Sequence, residues 1–139
     1  MNIDLLNWHL PEAEQDANIA AVHITSAEDI EALILPAKRK DCWENCAILL
    51  ASLDNSRLLP FLPRLMEWYQ DMNWPGFEII DRRVKQLPYN TLRVAVADAL
   101  RKATSEHDSE WHENLQSAFD DLENGDNEVR MWNMMNRKA

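Results

Sequence analysis

Only two glycines, Gly76 and Gly125, occur in the 139 residues of this chain. Phosphate-cradling loops, dinucleotide fingerprints and series of tight hairpins all need several residues that tolerate positive φ or lack a Cβ. Their scarcity excludes most nucleotide enzymes and most all-β folds. What remains is a chain that travels mainly as helices. At 16.2 kDa it is long enough to bury one substantial core and too short for a two-domain enzyme. Fourteen Lys and Arg stand against 24 Asp and Glu, a formal charge of −10 that repels polyphosphate and anionic lipid. Nucleic acid is therefore an unexpected partner, and so is a membrane.

No basic leader opens the chain, and no apolar run of about 18 residues occurs in it, so the expectation is a soluble cytoplasmic protein. Cys42 and Cys46 stand four apart in a segment that reads as helix. There they share a face with parallel side chains, poor geometry for a disulfide. The four histidines, His9, His23, His107 and His112, supply no zinc-site spacing. Both cysteines are expected to act as small buried hydrophobes, with no metal and no cofactor.

Apolar residues recur at helical spacing in one segment after another. Ser26 with Asp29 forms a capping box ahead of Ile30, Leu33 and Ile34, until Pro36 stops the turn. A helix over about 41–53 turns Trp43, Cys46, Ala47, Leu50 and Leu53 inward. Another, carrying Leu62, Leu65, Met66, Trp68, Tyr69 and Met72, ends near 71 and either begins near Pro63 or bends there. The next is expected to start at Pro75 and to repeat Phe77, Ile80, Val84 and Leu87 before Pro88. Its outer face offers Glu78 to Arg82 and Asp81 to Lys85 as i,i+4 pairs. A helix over about 90–104 follows, then one over about 108–124 closed by Gly125.

Helix starts near 41, 75 and 108 are 34 and 33 residues apart, close to helix-hairpin repeat lengths. The expected fold is all-α, a HEAT-like stack of antiparallel helix pairs forming a short right-handed α-solenoid. An irregular helical bundle with coincidental spacing is the alternative. The chain reads as a single domain, 1–139, divided into an acidic segment at 1–35, a helical core at 36–124 and a Met-rich cap or tail at 125–139. In that tail Val129, Trp132 and Met135 fall on one side of a short helix.

Between two of these helices stands Gln70-Asp-Met-Asn73-Trp74-Pro75, preceded by Trp68 and by a helix opening Trp43-Glu44-Asn45-Cys46. Pro75 pushes Trp74 out of helical conformation, so Trp74 occupies a corner. A tryptophan-bearing helix, QDMNWP and a second amphipathic helix resemble an uncharacterised bacterial family of unknown function predicted to be HEAT-like. The resemblance covers about residues 34–122 and leaves the first 30 or so residues and the Met-rich tail outside. It implies a helical-repeat fold and brings no activity, although small bacterial proteins of this type often look like immunity partners of toxins. Trp68, Asp71, Asn73, Trp74 and Pro75 are thus candidates either for a structural corner or for an exposed recognition site.

No motif pairs a nucleophile with a base: there is no G-x-S-x-G, and His112 beside Glu110 and Glu113 diverges from its helical neighbours. Some HEAT-like DNA glycosylases place tryptophan and aspartate near a basic face. Trp68, Asp71 and Trp74, with Arg64, Arg82, Arg83, Lys85, Arg93, Arg101 and Lys102, sketch that arrangement.

The charge is segregated. Residues 1–35 hold seven acids and no Lys or Arg, 36–104 hold 11 bases and eight acids, and 105–128 hold nine acids and no base. An acidic surface of this kind steers a basic protein partner. The expectation is a non-catalytic binding module, an immunity or inhibitor protein for a basic toxin, that docks through Glu106, Asp108, Glu110, Glu113, Asp120, Asp121 and Glu123. A HEAT-like adaptor is the alternative, and a nucleic-acid-acting enzyme the more distant one.

Overall fold

The computed structural model describes residues 1–120, and among them every regular element is helical. The 3-10 turn Ile3–Leu6 leads to α1 (Glu12–Ala21) and α2 (Ala27–Leu33). A second 3-10 turn, Lys40–Cys42, runs straight into α3 (Trp43–Ala51). Then come α4 (Asn55–Leu58), α5 (Leu62–Leu65), α6 (Phe77–Val84), α7 (Tyr89–Ser105) and α8 (Ser109–Ala118). The extended stretch at 22–25 joins no sheet.

The helix starts follow local chemistry. Ser26 accepts the Asp29 N–H at 3.2 Å while the Asp29 carboxylate takes the N–H groups of Thr25 and Ser26, so the box reads in both directions. Asp54 caps α4 through the Arg57 N–H, and Asp108 caps α8 through the Trp111 N–H. Between 55 and 70 a continuous α-helix is impossible because Pro60 and Pro63 each lack a donor. The chain crosses this stretch as α4, the 3-10 turn Leu59–Phe61, α5 and a longer 3-10 run, Met66–Gln70. Of the two expectations, a helix beginning near Pro63 or one bent there, the structure has an α-helical piece starting at Leu62, but it lasts only to Leu65, and the whole stretch is broken into four pieces.

The core is continuous across these elements and includes Leu33, Cys46, Leu50, Leu65, Trp68, Tyr69, Ile80, Val84, Ala103 and Leu115. α3 packs along α6, and α8 lies against α7 and the Met66–Gln70 run. Three bonds fix α8 there: the Trp111 indole donates to the Met66 carbonyl at 3.0 Å, and the Asn114 amide donates to the Tyr69 and Gln70 carbonyls at 3.0 and 3.3 Å. The N-terminal segment belongs to the same core. Leu6 is fully buried, and the buried Asn45 amide donates to the Leu6 carbonyl at 2.7 Å and to Gln15 Oε1 at 2.9 Å.

No described helix is long and apolar enough to cross a membrane. Asp121, Glu123, Gly125 and the Met-rich tail lie outside the described residues.

Candidate functional site

The tryptophan corner is built from its turn outward. Asp71 is extended, and its carboxylate accepts the Asn73 N–H at 2.8 Å, while its carbonyl accepts the Trp74 N–H at 3.1 Å. The side chain and backbone of one residue thus close the turn. The following helix does not begin at Pro75 as expected. Gly76 intervenes at φ +85 as the N-cap, and α6 starts at Phe77. An added Cβ on Gly76 would stand 2.7 Å from Ala47 Cβ and 2.9 Å from the Trp43 carbonyl oxygen. Glycine is required twice over, by conformation and by the close approach to α3.

Three indoles surround this crossing. Trp68 is fully buried and donates to the Pro75 carbonyl at 3.0 Å, which ties the 66–70 run to the corner. Trp43 donates to the Pro36 carbonyl at 2.9 Å and meets Trp74 edge-on, with ring centroids 5.1 Å apart. Trp74 itself is half-buried and Asn73 is exposed. The Lys40 ammonium stands 5.6 Å from the Trp43 centroid and 5.7 Å from that of Trp74. Trp68, Asp71 and Pro75 therefore hold the corner together, while Asn73 and one side of Trp74 reach solvent. Lys40 and Gly76 complete the arrangement. Gly76 carried a sequence signal as one of two glycines in the chain; Lys40 carried none beyond lying three residues before Trp43.

The second set of candidates lies at the turn from α7 to α8. His107 adopts φ +56, its N–H bonds the Thr104 carbonyl, and the Asp108 N–H reaches back to Ala103 at 2.9 Å. This is a Schellman closure with histidine where glycine is usual. Glu106, Glu110, Glu113 and Asp120 are exposed, and none has an ion pair among the described residues. Asp108 differs, because its carboxylate is occupied in capping α8. His112 is half-buried beside His107 and Asp108 in a shallow depression.

Most cations of the central segment are already engaged. Arg64 pairs with Glu31 and Glu67, Arg101 with Asp98, and Lys85 with Asp81 at 3.1 Å. Arg83 spans back to α3, donating to the Ala51 and Leu53 carbonyls at 3.2 and 2.9 Å and to Asn55 Oδ1 at 2.7 Å. Arg82, Arg93 and Lys102 are exposed and have no ion pair among the described residues. These three, on α6 and α7, are the candidate phosphate contacts left without an ion pair or a side-chain hydrogen bond among the described residues.

The buried titratable groups serve the core. The Tyr69 hydroxyl donates to Asp81 at 2.7 Å, and burial with that carboxylate beside it pushes the phenol far up. Burial raises the Cys46 thiol to about 12, an inert thiol. Cys42 is also raised, by burial first and then by Asp41, and its Sγ lies 3.3 Å from the Ile3 carbonyl oxygen. Among the described residues no group of three or more His, Cys, Asp or Glu is arranged to hold a metal ion.

Residues 34–137 match a family described as a domain of unknown function (DUF5071), and the chain belongs to it. The match extends through most of the Met-rich tail, which the sequence resemblance had placed outside the family. No curated protein and no solved structure matches the chain.

Proposed function

We propose that this protein is a non-catalytic binding module that docks a basic protein partner through the exposed carboxylates of α8 and of the residues flanking its two ends, in the manner of an immunity protein neutralising a basic toxin. The observation that carries this reading is the set Glu106, Glu110, Glu113 and Asp120, exposed and without a cation among the described residues. A carboxylate row left uncompensated costs solubility nothing and gains association rate toward a positive surface. In the sequence, two further acids, Asp121 and Glu123, follow Asp120. Rigidity supports the same reading: α8 is anchored to Met66 and Tyr69, so its outer face is presented on a fixed support. For the arrangement of helices, we favour stacked helix pairs, with α3 against α6 as one layer and α5 against α7 as the other.

The partner is best sought as the product of the neighbouring gene. With that product purified, stopped-flow association should slow steeply between about 0.05 and 0.5 M salt, as screened steering requires. Charge reversal at Glu110, Glu113 and Asp120 should slow it about tenfold while leaving dissociation nearly unchanged. Association indifferent to both salt and reversal would remove the acidic-edge reading and leave an adaptor. Tight binding to duplex DNA at about 0.15 M salt would instead favour the nucleic-acid reading.

A further inference from the structure

We infer that the groove beside Trp74 receives an arginine side chain of a protein partner. The groove has a volume of about 240 Å³ and is lined by Glu44, by the corner residues 72–76 and by Phe77, Glu78 and Ile79 of α6. Glu44 comes from α3 and Glu78 from α6, so the packing of two helices brings them to one opening. Both are exposed, and neither has an ion pair among the described residues.

Trp74 is the other half of the argument. Trp43, Trp68 and Trp111 are held by indole bonds to backbone carbonyls, whereas Trp74, like the exposed Trp8, makes no such bond among the described residues, and its half-buried ring leaves part of its surface to solvent. Its ring already has one cation nearby, since Lys40 Nζ is 5.7 Å from its centroid without lining the groove.

A mixed lining, with Met72 and Ile79 beside an indole and two free carboxylates, suits one kind of side chain. A long aliphatic stem covers Met72 and Ile79, and the planar guanidinium stacks on the ring while donating to carboxylate oxygens. A lysine ammonium lacks the plane for stacking and the fork for a carboxylate. The N-terminus of α6 adds about half a positive charge, which two full negative charges outweigh.

This inference deepens the basic-partner reading, on which it rests for the source of the arginine, and its test needs no protein partner. Nα-acetylarginine methylamide is titrated into the ¹⁵N-labelled full chain, and the Trp74 indole resonance, assigned with Trp74→Phe, is followed. A saturable shift is expected, several-fold weaker with the lysine analogue and lost with the neutral citrulline analogue. Glu44→Gln with Glu78→Gln should weaken binding about tenfold, with the remaining spectrum unchanged. Glu110→Gln with Glu113→Gln should leave the titration as in the parent chain. An equal response to citrulline, no saturable shift, or indifference to the Glu44 and Glu78 changes would overturn the groove. The acidic-edge reading fails separately: loss of salt-sensitive partner association would remove it while the arginine titration stands.

Discussion

Of the four residues with left-handed backbone, Leu35, Lys38, Gly76 and His107, the last two have opposite consequences for substitution. Gly76 at φ +85 abuts Ala47 and the Trp43 carbonyl, so Gly76→Ala incurs both the left-handed penalty and a steric clash. The expected loss is about 3 kcal/mol, read as a lower urea midpoint. His107 at φ +56 is exposed in the α7 closure, and its backbone bonds do not depend on its side chain. His107→Gly should therefore stabilise by about 1 kcal/mol, and a loss of stability would show that the imidazole makes contacts beyond the turn. Cys46 gives a chemical check on the core. With its thiol at about 12 and its side chain fully buried, it should resist a thiol reagent at pH 8 in the native protein and react only as urea unfolds the chain. Prompt native labelling of Cys46 would contradict that packing.

At the scale of elements, two aspartates, Asp29 and Asp54, tie helix starts to pH, and a third, Asp41, ties the turn before α3 through Arg39. Hydrogen bonds from Thr25 hold the Asp29 carboxyl below its usual range, the Arg57 N–H does the same for Asp54, and Arg39 for Asp41. Their contribution is full above the ordinary aspartate pKa of about 3.9 and disappears as pH falls through the lowered folded values. The urea midpoint should therefore hold from pH 7 to about 5 and drop below about 4, with a shallower drop in Asp29→Asn combined with Asp54→Asn. What could be read in advance follows the same division by range. The capping box of α2 and the apolar face of α6 were legible because their partners stand three, four or seven residues apart. The break at 55–70 was half legible: the prolines forbade a continuous helix, but only packing decided how many pieces would replace it. For Arg83, a candidate phosphate contact by sequence, the bonds to the Ala51 and Leu53 carbonyls were not legible, because they span about thirty residues and depend on α6 lying along α3. The Glu44 and Glu78 groove was invisible for the same reason, whereas the corner residues announced themselves through Pro75 and a cluster of indoles.

For the whole molecule, the sharpest question is whether the family's boundary at residue 34 is a physical boundary. The first 33 residues contribute Leu6, Ile30 and Leu33 to the core, each at least nine-tenths buried. Removing three such side chains forfeits about 1.5–3 kcal/mol apiece. The deletion also strips the buried Asn45 amide of both acceptors, the Leu6 carbonyl and Gln15, at a further cost of about 1–3 kcal/mol. It removes Glu31 from Arg64 and Asp4 from Arg39, although these partly exposed pairs matter little. The combined loss reaches most of the 5–15 kcal/mol that a domain of this size has in total. A chain beginning at residue 34 should accordingly lose its cooperative urea transition and its near-ultraviolet tryptophan signal. A sigmoidal transition with the midpoint of the full chain would instead mean that the acidic segment is an appendage resting on a domain complete without it. The choice matters for binding as well. If residues 1–33 are core, their carboxylates are held at fixed positions relative to the α8 edge, and a partner meets one preorganised acidic molecule rather than a domain trailing a charged arm.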